Sequence, residues 1–156
     1  MKYERFEDLP VWKSALDLAT HVYALTNDVY FRQPGDLCNQ LRRAALSISN
    51  NIAEGFERGS TAELTAFLYI ARGSEGEVRS MLRFVERDPC AENFKSEISN
   101  LILLAENCSR QIRGWADHLQ NSEIKGQRHL TERSRGVYEN NRATAEFLEK
   151  IQRIVE

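Results

Sequence analysis

The chain has 156 residues, enough for one domain with its own core and too few for two ordinary ones. With 42% hydrophobic and 28% charged residues, it has the composition of a folded globular protein and not of a disordered one. A formal charge of −2 excludes a surface coated in basic residues for non-specific nucleic-acid binding, while leaving room for a local basic strip.

The N-terminus, MKYERFEDLPVW, is charged and has no apolar stretch of signal-peptide length. No window reaches the roughly 18 apolar residues of a membrane span. Cys38, Cys90 and Cys108 are odd in number and widely spaced, which fits free thiols in a reducing compartment. These features point to a cytoplasmic protein with no membrane partner.

The first helix is expected from Asp8 to Tyr30. Val11, Ala15, Leu18, Val22, Leu25 and Val29 alternate spacings of four and three and draw one apolar stripe. Trp12, Leu16, Ala19 and Tyr23 draw a second beside it. One core needs one stripe, so the doubled width points to two buried sides. FRQPGD breaks the pattern, and Asp36 is placed to cap or to charge the start of the next helix.

Leu37, Leu41, Ala44, Ala45, Ile48, Ile52 and Phe56 form the core face of the second helix, which stops near Gly59. Inside it lies SISNNIAEG, residues 47–55, with two asparagines where the apolar spacing is helical. Asparagine is a poor helix-interior residue because its amide competes for backbone hydrogen bonds. Asn51 falls about 60° from the core direction, so its amide is expected to bond a group on an adjacent helix. Gly55, one turn later, is expected to let a neighbour approach closely.

Ser60-Thr-Ala-Glu63 is a capping-box pattern that opens the third helix. Leu64, Phe67, Leu68, Ala71, Val78, Leu82 and Val85 face the core. Ile70, Met81 and Phe84 fall roughly 100–160° from Leu64 and are too apolar for a solvent face, so a second contact is expected here also. The helix ends at Asp88-Pro89. Phe94, Ile98, Leu101, Ala105, Cys108, Ile112, Trp115 and Leu119 make the regular seam of a fourth helix.

The expected fold is therefore all-α, an up-down-up-down antiparallel four-helix bundle over residues 1–120. Residues 121–156 form an extension: a polar linker, then a short helix with Ala143, Phe147, Ile151 and Ile154 or Val155 on one side.

Chemistry is sparse. A di-metal carboxylate bundle needs Glu-x-x-His, and none of His21, His118 and His129 has an acidic residue three positions before it, so no metal and no cofactor is expected. Arg113-Gly-Trp-Ala-Asp-His118 fits the loose R-x4-6-H motif of HEPN ribonucleases, where arginine stabilises a phosphorane and histidine moves a proton. Arg72, Arg79 and Arg83 lie within roughly 40° of one another on the third helix and offer a strip for RNA phosphates. The competing reading of that strip is ion pairing with Glu75 and Glu86. Arg42 and Arg43 sit in mid-helix with few acids nearby, one suited to a neighbouring helix and the other to a ligand.

FEDLPVWKSALDL at 6–18, VYALT at 22–26, QLRRAALSISNNIAEGFER at 40–58 and FLYIARGSEGEV at 67–78 together resemble one bacterial family. Its members are the four-helix bundle proteins read from intervening sequences of 23S ribosomal RNA genes. The resemblance covers residues 6–120 and implies a non-enzymatic, ring-shaped homo-oligomer, typically a pentamer. It is also similar to accessory proteins of diversity-generating retroelements, which implies RNA or a reverse transcriptase as partner. No catalytic residues come with it. Trp12, Tyr23, Asn51, Gly55, Ile70 and Phe84 are the residues assigned to packing and oligomer contacts. YFRQPGDL departs from the family's usual turn before the second helix, and the tail from 121 exceeds the usual length.

Overall fold

The structure, a computed structural model, describes residues 3–32 and 35–121, with Thr144, Phe147 and Lys150 beyond them. Four α-helices account for most of the chain: α1 (Pro10–Leu25), α2 (Leu37–Glu57), α3 (Thr61–Glu86) and α4 (Lys95–Gln120). No β-strand occurs among the described residues, and none of the described helices is long and apolar enough to cross a membrane.

Pro10 occupies the first turn of α1, where its missing N–H costs no hydrogen bond. A 3-10 turn, Phe6–Asp8, precedes it and packs the Phe6 ring edge-on against Trp12 at 5.2 Å. α1 ends at Leu25, earlier than the expected Tyr30. The Thr26 hydroxyl donates back to the carbonyls of Val22 and Tyr23, and the Asp28 carboxylate accepts from the Tyr30 N–H. These local bonds compete with helix continuation, and the chain passes instead into a 3-10 turn, Val29–Arg32. Val29, expected on the core stripe, is exposed as a result.

Asp36 stands at the N-cap of α2, but its side chain caps no backbone N–H, contrary to expectation. Its carboxylate accepts from the Gln40 side chain at 3.4 Å instead. α2 closes with Gly59 at φ +81°, a left-handed position that glycine takes without a Cβ penalty. Half of the capping box at α3 forms: the Ser60 hydroxyl oxygen accepts from Glu63 N–H at 3.3 Å, while the Glu63 carboxylate accepts from the Ser60 hydroxyl at 2.6 Å and not from the Ser60 backbone N–H.

Below α3, Asp88 accepts from Cys90 N–H at 2.9 Å and from the Tyr30 hydroxyl at 2.7 Å. Burial, then the bond to Asp88, pushes the Tyr30 phenol up to about 12, while the Tyr30 bond holds Asp88 below the ordinary carboxylate value.

The helices pack in cyclic order, α1 on α2, α2 on α3, α3 on α4 and α4 on α1. The contact between α2 and α3 is the most extensive. Cross-helix pairs fix two directions. Ser47 meets Ser74 while Gly55 meets Phe67, so α2 and α3 are antiparallel. Arg83 meets Glu106 while Tyr69 meets Gln120, so α3 and α4 are antiparallel. Leu18, Val22, Leu41, Ile48, Ile52, Leu64, Leu68, Leu82, Ile98, Leu101 and Ile112 fill the centre. The linker and short helix expected over 121–156 lie outside the described residues, apart from Asn121 and the three helical positions Thr144, Phe147 and Lys150.

Candidate site on the α2–α3 face

The seam between α2 and α3 is polar at its middle. The Ser47 and Ser74 hydroxyls share a hydrogen bond of 2.9 Å across it. Asn51 donates its amide to the Ser47 carbonyl at 2.7 Å and to the Ser47 hydroxyl at 3.0 Å. The expected bond from Asn51 to an adjacent helix therefore does not form. The amide folds back one turn along its own helix, because Ser47 stands between it and α3. It braces the serine that makes the crossing. One turn on, the expectation for Gly55 holds: a Cβ there would lie 2.6 Å from Phe67 Cβ and 3.3 Å from Leu64 Cδ1.

Outside this seam runs a groove of about 770 Å³ lined by Gln40, Arg43, Leu46 and Asn50 of α2 and Glu77 and Met81 of α3. Ile70, Glu77 and Phe84 are seven residues apart and so share one line of α3, which drifts only ~20° per heptad. Ile70 is 52% and Phe84 64% exposed. Leu16 and Tyr23, from the second stripe of α1, are also exposed within one chain, whereas Ala19 is buried and Trp12 half-buried.

The five arginines do not form one strip: Arg79 and Arg83 stand together beside Glu106, apart from Arg42 and Arg43 on α2. Arg42 reaches α1, donating to the Thr26 hydroxyl at 2.7 Å and the Asn27 side chain at 2.9 Å with its guanidinium 4.9 Å from the Tyr23 ring centre. Tyr23 is thus half of a cation–π pair that ties α2 to the end of α1. Arg43 lies in the groove. On the far side of α3, Arg79 approaches Glu75 at 3.6 Å, and Arg83 pairs with Glu86 at 3.0 Å and Glu106 of α4 at 3.7 Å. Arg43 and Arg72 make no ion pair among the described residues.

Glu75 is a residue whose burial sequence reasoning missed. It is 1% exposed, and its Oε1 accepts no hydrogen bond. Burial raises its pKa above the ordinary value, against the lowering pull of a hydrogen bond to Ser109 and the charges of Arg79 and Arg72; Glu106 adds to the rise. The signal was present: Ala71, Glu75, Val78 and Leu82 keep the four–three alternation of the core face.

Beneath it, burial and the Glu75 charge push the Cys108 thiol up to about 12. Thiolates are the reactive form. A disulfide-exchange reagent added to the native protein is therefore expected to titrate exposed Cys90 at once and Cys108 only after denaturation. Rapid native labelling of Cys108 would contradict this packing.

Arg113 and His118 stand about 140° apart on the unbroken α4, and Arg113 approaches Asp117 at 3.5 Å. Within one chain they do not converge on a shared phosphate. His21 Nδ1–H donates to the Asp17 carbonyl, 2.8 Å away, on the exposed face of α1.

A family model described as 23S rRNA-intervening sequence protein matches residues 7–114, which spans all of α1, α2 and α3 and most of α4. The chain belongs to the 23S rRNA-intervening sequence protein family. A search of curated proteins gives no match. In this family member, the segments that carry the resemblance have identifiable mechanical jobs. LPVW starts α1, QLRRA supplies the Arg42 tie to α1, and SISNNIAEG with ARGSEGEV builds the α2–α3 seam and places Glu75.

Proposed function

We propose that this 23S rRNA-intervening sequence protein is a non-enzymatic homo-oligomeric adaptor, whose bundle presents one face to copies of itself and serves an RNA-handling protein such as a reverse transcriptase. The observation that carries the reading is the line of Ile70 and Phe84 on α3: two large apolar side chains left open, with half-buried Met81 of the neighbouring groove beside them. An adaptor of the ring type needs such a surface, and a pentamer is the copy number implied by resemblance.

A protein partner has better support than direct RNA tracking. Arg42, Arg79 and Arg83 are engaged by groups of the same chain, which leaves Arg43 and Arg72, on different sides of α3, as cations for phosphate. A ribonuclease built from Arg113 and His118 has less support again, given their divergence on α4.

The test is size-exclusion retention of the full chain beside an Ile70→Asp/Phe84→Asp variant. Both substitutions fall on exposed positions, so the bundle is expected to fold with unchanged helicity. The wild type is expected to elute as an oligomer and the variant as a monomer of 18.0 kDa. A variant that elutes with the wild type would remove this face from the assembly.

A further inference from the structure

The same sequence offers a candidate occupant for the α2–α3 face. Residues 143–155 carry Ala143, Phe147, Ile151, Ile154 and Val155 at helical spacing. Thr144, Phe147 and Lys150 are helical, and Phe147 is 62% exposed. An apolar stripe from 143 to 155 is ~18 Å long at ~1.5 Å per residue, and Ile70 to Phe84 spans ~21 Å on the same measure. In helical form the stripe would span most of the length of the face.

α4 ends near the N-terminal half of α3. Gln120, the last residue of α4, donates to the Tyr69 hydroxyl at 2.8 Å. The residues from 122 to 142 can extend ~70 Å, well beyond the ~39 Å length of α3. Charge also matches: Arg43 and Glu77 line the groove, and Glu146 and Lys150 flank the stripe in sequence. Yet Phe147, Ile70 and Phe84 are all open within one chain, so these three side chains do not cover one another there.

We infer that the apolar stripe of residues 143–155 of one copy docks along Ile70, Met81 and Phe84 on the α2–α3 face of a neighbouring copy. This rests on the oligomeric reading above and names the contact that closes it. Such a head-to-tail exchange is heterologous, since the donating and receiving surfaces differ, and it generates rings when the rotation between copies closes.

The test uses three full-length proteins: wild type, the face variant Ile70→Asp/Phe84→Asp, and a tail variant Phe147→Asp/Ile151→Asp. Light scattering is read on each alone and on a one-to-one mixture of the two variants, with circular dichroism to check helicity. Wild type is expected above monomer mass, each variant alone at monomer mass, and the mixture partly restored, because the tail of one can still seat on the face of the other. Phe147→Ala, which removes the ring without adding charge, is expected to weaken assembly in the same direction. If the tail variant keeps the wild-type mass while the face variant falls to monomer, the face is an interface with another occupant, and this inference fails while the oligomeric reading stands. A mixture that stays monomeric excludes exchange between copies. A monomeric wild type overturns both.

Discussion

Replacing Gly55 with alanine is expected to destabilise the protein by about 1–3 kcal/mol, despite alanine's better helix propensity. The added Cβ would meet Phe67 Cβ at 2.6 Å. That atom is one bond from the α3 backbone, so it cannot swing aside as a side-chain tip would. α2 and α3 must separate locally, and the 2.9 Å Ser47–Ser74 bond two turns away would stretch with them. Helix propensity favours alanine by up to about 1 kcal/mol and is outweighed. Gly73 on the outer face of α3 is the control. Nothing lies within 4 Å of a Cβ there, so Gly73→Ala is expected to raise stability by about 0.5–1 kcal/mol. Thermal unfolding of the two variants should show opposite signs. A Gly55→Ala protein as stable as the wild type would mean that the seam is looser than 2.6 Å implies.

Replacing Glu75 with glutamine is expected to stabilise the protein at neutral pH, on the order of 1 kcal/mol, by removing a buried negative charge that the fold must desolvate. Glu75 is buried with one oxygen unbonded, and its folded pKa lies above the unfolded value. The sign follows from linkage. A raised carboxyl pKa favours the folded state below the unfolded pKa, and that advantage is lost as pH rises through the folded pKa. Wild type should therefore lose stability from this site on going from acid to neutral solution. The glutamine variant lacks the ionisation, so its gain should be present at about pH 7 and shrink toward zero at about pH 4. Arg79 is displaced from its 3.6 Å approach but can turn to water, being partly exposed. Urea unfolding at the two pH values measures the difference. A glutamine variant less stable than wild type at neutral pH would show that the Arg79 and Ser109 interactions outweigh the cost of burial.

The fold was largely legible because the apolar spacing is regular. Leu41, Ile48 and Ile52, or Ile98, Ala105 and Ile112, follow the four–three alternation without interruption, and each is buried where that spacing places it. The end of α1 was not legible. Val29 continues the stripe, but the Thr26 and Asp28 side chains offer the backbone competing bonds, and local polar chemistry prevails over periodicity. Asn51 was legible as a boundary residue and not as a brace, since the identity of its partner depends on where the Ser47 hydroxyl points. The arginines illustrate a different limit. Arg72, Arg79 and Arg83 share one side of a helix, but only the neighbouring helix reveals that Glu106 stands opposite Arg83. Glu75 was readable from its register, and its charge made the core position easy to overlook.

Exposed Ile70 and Phe84 are the common root of the proposed assembly and of the contact inferred to close it. The most direct measurement is sedimentation equilibrium of the full chain over a dilution series. Assembly through the α2–α3 face requires a plateau at a multiple of 18.0 kDa that declines toward the single-chain mass on dilution. A mass of 18.0 kDa at every concentration would contradict it.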